Sequence, residues 1–251
     1  MKSIRSRVLT KFFVMAFIIF GLSACAAAAP STRTLDEDTL ITPPGVIAAH
    51  GDWGIKFKKG TVVTLNENGE VLEGTLASSV RLPCVAGGPF YYTWIPYGGI
   101  ELKPNRLLDF KAGTRVTFNG KGEVIKGTVT GNFIEIPVSQ TDYIRLSDNT
   151  EVSFHENGMI ATCTLNYKTY LRPVGWRQIM NVNNTSTELL PGLVQFRKET
   201  RLVLNDKCEV IKGTLNKDTK LLSPSGYIKV YEAGTTVEFD DKGVVVKAAK
   251  S

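Results

Sequence analysis

The chain has 251 residues, 43% of them hydrophobic and 22% charged, with a formal net charge of +6. Residues 1–24 hold four of its 30 basic residues (Lys2, Arg5, Arg7 and Lys11) and no acid, so beyond residue 24 the balance is 26 basic against 24 acidic. That near-neutral remainder holds no basic cluster of the kind that tracks a nucleic-acid backbone. It also holds no P-loop, GxSxG, HExxH or CxxC motif, which removes the commonest sequence grounds for a nucleotide, serine-hydrolase, zinc-protease or redox function.

In chain order, the first element is the basic stretch followed by an unbroken apolar run, Phe12 to Phe20. The run is about half of the ~20 residues a spanning helix needs, so a permanent transmembrane helix is not expected. It ends at Leu22-Ser23-Ala24-Cys25, which resembles the lipobox of bacterial lipoproteins. The resemblance implies a signal peptide over 1–24, cleavage before Cys25, and lipid on the Cys25 thiol and on the new amine. Two or three acyl chains make stable anchoring, whereas one is marginal. Ala26, where that family has Asp for inner-membrane retention, implies the outer membrane in a cell that has one. An ordinary secretory signal cut at the small residues Ala24-Cys25-Ala26 is the alternative.

Residues 25–38, rich in Ala and Thr, are expected as a linker, and 39–251 as a β-repeat domain in one body or two lobes. Five segments share a pattern, beginning at Thr61, Thr114, Thr150, Thr200 and Thr235. In each, apolar residues alternate on an outgoing strand: Val63/Leu65, Val116/Phe118, Val152/Phe154, Leu202/Leu204 and Val237/Phe239. Period two places each pair on one face. The turns Asn66-Glu67-Asn68-Gly69, Asn119-Gly120-Lys121-Gly122, His155-Glu156-Asn157-Gly158, Asn205-Asp206-Lys207-Cys208 and Asp240-Asp241-Lys242-Gly243 suit a type I turn closed by a left-handed residue. On the return strand a glycine (Gly74, Gly127, Gly213) leaves room for a close neighbour. The expected fold is all-β, five antiparallel hairpin or meander repeats. The gaps between the repeat threonines (53, 36, 50 and 35 residues) alternate long and short. The repeats resemble MORN-type hairpin repeats only in being glycine-punctuated, and no function follows from that.

Catalytic residue types are sparse. His155 takes the turn position held by Asn or Asp in its sister copies, and His50 lies beside Asp52 in a glycine-bounded connector. Three cysteines remain in the body. Cys163 and Cys208 replace repeat glycines, and Cys84 stands apart; one disulfide with a free thiol and three buried thiols are both open. No catalytic set, metal site or cofactor is expected.

The two long connectors depart most from the repeat. One carries Tyr91, Tyr92, Trp94 and Tyr97 between glycine pairs, and the other carries Trp176. Such aromatics either plug the seams of the β body or form a recognition surface, since Tyr and Trp give large contact area at low entropy cost and stack on sugars. The function expected is a non-enzymatic, lipid-anchored binder of an envelope component (glycan, peptidoglycan or protein). A scaffold or spacer is the alternative, and an envelope hydrolase using His50 and Asp52 is a lesser one.

Overall fold

The computed structural model describes residues 29–45, 54–85, 91–95, 99–103, 106–131, 134–137, 143–178 and 192–250. The expected all-β architecture is present. After a lead strand β1 (Ser31–Thr34) come a short hairpin, β2 (Thr39–Ile41) and β3 (Ile55–Phe57), and the first repeat hairpin, β4 (Val62–Leu65) and β5 (Val71–Thr75). A long arm follows: β6 (Val80–Cys84), β7 (Tyr91–Ile95), β8 (Gly99–Lys103) and β9 (Arg106–Phe110). The second hairpin is β10 (Arg115–Phe118) and β11 (Val124–Val129), with an arm β12 (Ile134–Pro137) and β13 (Tyr143–Leu146) after it. The third is β14 (Thr150–Phe154) and β15 (Ile160–Thr164), with an arm β16 (Thr169–Leu171) and β17 (Val194–Phe196). The fourth is β18 (Arg201–Leu204) and β19 (Val210–Thr214), with an arm β20 (Thr219–Leu222) and β21 (Ile228–Tyr231). The fifth, β22 (Thr235–Phe239) and β23 (Val245–Lys250), ends the described chain.

All five repeat hairpins join one sheet in the order β1-β4-β5-β10-β11-β14-β15-β18-β19-β22-β23. Its inward positions are apolar and buried, among them Val63, Val116, Val152, Leu202 and Val237, each fully shielded from solvent. Its other face carries a ladder of charges. Arg115 pairs with Glu73, Glu151 sits between Lys126 and Arg201, and Glu238 lies between Lys212 and Lys247. These pairs are solvent-exposed and add little each to stability.

The arms form a second layer over the apolar face. A large residue four positions before each repeat Thr (Phe57, Phe110, Leu146, Phe196 or Tyr231) is buried there. A Cβ added to Gly74 would lie 2.5 Å from the Phe57 ring, one on Gly127 2.7 Å from Phe110, and one on Gly213 2.6 Å from Phe196. The return-strand glycine is therefore a socket for an arm ring. In the third copy both partners change together: Cys163 fills the glycine position and the smaller Leu146 replaces the ring, and both stay buried. Three of the arms also reach the next repeat. Cys84 bridges Val124, Pro173 bridges Val210, and Leu222 bridges Val244, all in parallel.

The local chemistry of the turns matches the spacing. Asn66 Oδ1 accepts from the N–H groups of Asn68 and Glu70, and Asn119, Asn205 and Asp240 repeat that pattern. The repeat Thr donates its hydroxyl to the carbonyl three residues back at Thr61, Thr114, Thr150 and Thr200. That closure puts the preceding residue in the left-handed region. Gly60, Gly113 and Gly234 accept it freely, whereas Asn149 and Glu199 adopt φ 59° and 58°. Replacing Glu199 by Gly should therefore raise stability, by up to about 1 kcal/mol, since a side chain in this region costs roughly that much. Chemical denaturation with and without the change reads it.

The linker expected over 25–38 is shorter than that. Ser31–Thr34 pairs with β4, Arg33 opposite Val63, and Leu35 is 3% exposed in the core. Thr34-Leu35-Asp36-Glu37-Asp38-Thr39 is a half-copy of the stretch Thr214-Leu215-Asn216-Lys217-Asp218-Thr219, so the body begins with the return strand of a truncated repeat. Pro83 lies inside β6 opposite Leu107. No helix among the described residues is long and apolar enough to cross a membrane.

Candidate recognition surface

Arm strands alternate like those of the sheet, so whatever does not face the core is displayed on the outside of the arm layer. In β12 and β13 the buried set is Ile134, Ile136, Ile144 and Leu146, which leaves Tyr143 and Arg145 pointing outward. In β16 Leu171 is buried and Tyr170 is outward. Among the described residues Tyr143 (52%), Tyr167 (53%), Tyr170 (45%) and Tyr227 (76%) stand exposed, with Leu40, Leu107, Ile228 and Val230 on other arms. Tyrosine and aliphatic side chains thus recur from arm to arm on one layer.

Cations accompany these rings. The Arg145 guanidinium lies 5.1 Å from the centroid of Tyr167, and the Lys217 ammonium 5.5 Å from that of Tyr170. Both contacts join one arm to the start of the next, and such pairs contribute about 0.5–1 kcal/mol when exposed. Backbone bonds tie the same places: Ala77, Thr130, Asn166 and Asn216 donate their N–H groups to Lys56, Asp109, Arg145 and Gln195. The tyrosines therefore stand on a rigid scaffold, which lowers the entropy lost when a ligand is gripped. Arg145 is also paired with Glu135, and Arg81 makes two parallel bonds to Asp109 at 2.9 and 2.7 Å. The hydrogen bonds from the Arg81 guanidinium hold the Asp109 carboxyl below the usual carboxylate range.

The residues singled out from the sequence fall in three groups. Cys25, His50, Asp52 and Tyr97 lie outside the described residues. Tyr91, Tyr92 and Trp94 are on β7, which pairs with β8 to prolong the long arm; Tyr92 stands opposite Leu102 and Trp94 opposite Ile100. Trp176 is half-buried, with the guanidinium groups of Arg172 and Arg177 at 4.5 and 4.6 Å from its ring. It opens a helical turn whose preceding residue, Gly175, is pressed against the fifth repeat turn. Trp176 is thus fixed in place, with its ring engaged by its own chain.

Sequence reasoning missed the tyrosines of the short arms. The usable signal was their alternation with buried partners: Tyr143 beside Ile144, and Tyr170 beside Leu171.

No disulfide forms among Cys84, Cys163 and Cys208, and all three are buried. Burial pushes the Cys163 thiol up to about 12 and the Cys208 thiol upward as well, so neither is a ready nucleophile. No protein-family model, curated protein or solved structure matches this chain.

Proposed function

We propose that this protein is a lipid-anchored bacterial envelope lipoprotein, held to a membrane through Cys25, whose repeat body binds another envelope component without catalysing a reaction on it. The observation that carries the binding half is the set of exposed tyrosines, with cations over two of their rings, repeated along the outside of the arm layer. Aromatic rings on a rigid frame suit the faces of sugar rings, so glycan or peptidoglycan is the ligand class favoured over protein. Tyr91, Tyr92, Trp94, Tyr97 and Trp176 belong to the same reading as aromatics of the two long arms.

The test is co-sedimentation of the full chain with purified peptidoglycan sacculi. Changing Tyr143 and Tyr170 together to Ala should weaken binding by at least about tenfold, the size of a modest hot spot. Retained binding with both rings gone would remove the support for this surface. The anchor is tested separately: Cys25→Ala should release the protein from membranes, and mass spectrometry should find acyl groups on Cys25 of the native chain. Release should leave sacculus binding unaffected.

A spacer role is the second reading. It is favoured by the way three of the arms bridge the following repeat, which resists bending between copies. Under that reading the tyrosine changes would leave sacculus binding where it was.

A further inference from the structure

The third and fourth repeat turns, which lie side by side, depart from their sister copies at three places. The first turn residue is Asn or Asp in the other copies (Asn66, Asn119, Asn205, Asp240) but His155 in the third. The residue just after the turn is Glu70, Glu123 and Glu209 in three others but Met159 in the third. The turn-closing residue is glycine in the other copies but Cys208 in the fourth, at φ 61°. Each departure replaces a residue that serves the turn with a soft or borderline metal ligand. Cys208 does so at a position where a side chain strains the backbone.

The geometry joins them. The Cys208 thiol donates to the Met159 thioether, Sγ to Sδ 3.4 Å, and Cys208 is 8% exposed. In sister turns the first and fifth side chains touch, Asn66 Nδ2 to Glu70 Oε2 at 2.6 Å, so the fold itself brings the His155 and Met159 positions together. His155 Nε2 donates to the Leu204 carbonyl at 2.9 Å, one residue before the fourth turn. That bond places the proton on Nε2 and leaves Nδ1 with its lone pair, the arrangement by which a backbone carbonyl orients a metal-ligating imidazole. Asn157 Nδ2 donates to the Asp206 carbonyl at 2.8 Å and clamps the two turns side by side.

We propose that His155, Met159 and Cys208 form a binding site for a soft monovalent metal ion, Cu(I) in particular. Thiolate and thioether select Cu(I), and imidazole suits it. In a trigonal site with metal–sulfur bonds of about 2.3 Å the sulfurs stand about 4.0 Å apart, close to the 3.4 Å found here. Among the described residues no three of His, Cys, Asp and Glu converge on a metal, so the hard and borderline dications lack a ligand set. Cys163 is buried on β15 and interacts electrostatically with Cys208, but it replaces the return-strand glycine rather than a turn residue and is not assigned to the site.

The experiment is anaerobic Cu(I) titration of the full chain in detergent, in competition with a chromogenic Cu(I) chelator, with Ag(I) as a redox-inert probe. One equivalent should bind, and X-ray absorption should show two sulfurs and one nitrogen. The variant H155N/M159E/C208G restores the repeat pattern and relieves the strain at 208, so it should fold at least as well. It should lose at least about tenfold in Cu(I) affinity, and more than the 10–100-fold typical of an outer-shell change if all three are ligands. Ag(I) should raise the melting temperature of the native chain but not of this variant. Equal Cu(I) affinity in native chain and variant would overturn the proposal. So would loss of binding in C84S/C163G with the three ligands intact.

Discussion

Gly127→Ala should destabilise the body by about 1–3 kcal/mol, the range for forcing one methyl into a filled core. Only one neighbour opposes the new methyl: the Phe110 ring, 2.7 and 2.8 Å away at Cδ1 and Cε1, with Val116 at an ordinary 3.6 Å. The ring is fully buried, so it has no solvent-facing rotamer to take up. The remedy is already written in the third copy, where Leu146 takes the ring position, Cys163 takes the glycine position, and both are buried. Adding Phe110→Leu to Gly127→Ala should therefore recover most of the loss, although Phe110→Leu alone removes core volume and destabilises. The double-mutant cycle, read by urea unfolding, should give a coupling of about 1–2 kcal/mol in favour of the pair. Strictly additive single changes would mean that ring and glycine are not a packing unit, and the two-layer account would lose its main joint.

This socket explains why the hairpins were legible in the sequence and much of the rest was not. Alternation of Val116 and Phe118, the Asn119 turn and Gly127 are all local signals, read at a spacing of a few residues. Position-matched copies then repeated the alternation five times and the glycine three times. The short arms gave less, because their strands run to three or four residues and a short alternation reads equally well in either direction. Tyr170 and Leu171 differ in fate, one exposed and one buried, for a reason that lies in the partner strand β17. The lead strand was hidden differently. Ser31 to Thr34 is polar and every residue of it is exposed. Only the match of Thr34-Leu35 to Thr214-Leu215 revealed that it completes a half-repeat. The candidate surface was legible as a residue type, aromatics on arms, and not as positions. The long connectors drew attention because they broke the pattern, whereas Tyr143, Tyr167 and Tyr170 sit within it.

The largest single effect is expected at Gly175, where two penalties coincide. Its φ of +68° is left-handed, and a Cβ there would stand 2.1 Å from the Gly243 nitrogen and 2.4 Å from the Lys242 carbonyl carbon. Both obstacles are backbone atoms of the fifth repeat turn, so no rotamer change relieves them. Strain of about 1 kcal/mol and overpacking of about 1–3 kcal/mol together put Gly175→Ala at about 2–4 kcal/mol. Gly226→Ala is the matched control, because Gly226 has φ +80° and nothing within 4 Å of its added Cβ. It should incur the strain alone. The damage should also be local. Val174 donates to the Val210 carbonyl at 3.0 Å, and Val210 donates to Arg172 at 2.9 Å. The segment before Trp176 therefore ties the fourth and fifth copies together. Nearest-neighbour coupling in repeat proteins confines the loss to those copies. Hydrogen exchange should accelerate in β19, β22 and β23 while β4, β5 and β10 keep their protection. Gly175→Ala behaving no worse than Gly226→Ala would show that the arm does not bear on the fifth turn, and the interlocking of arms with later repeats would fail with it.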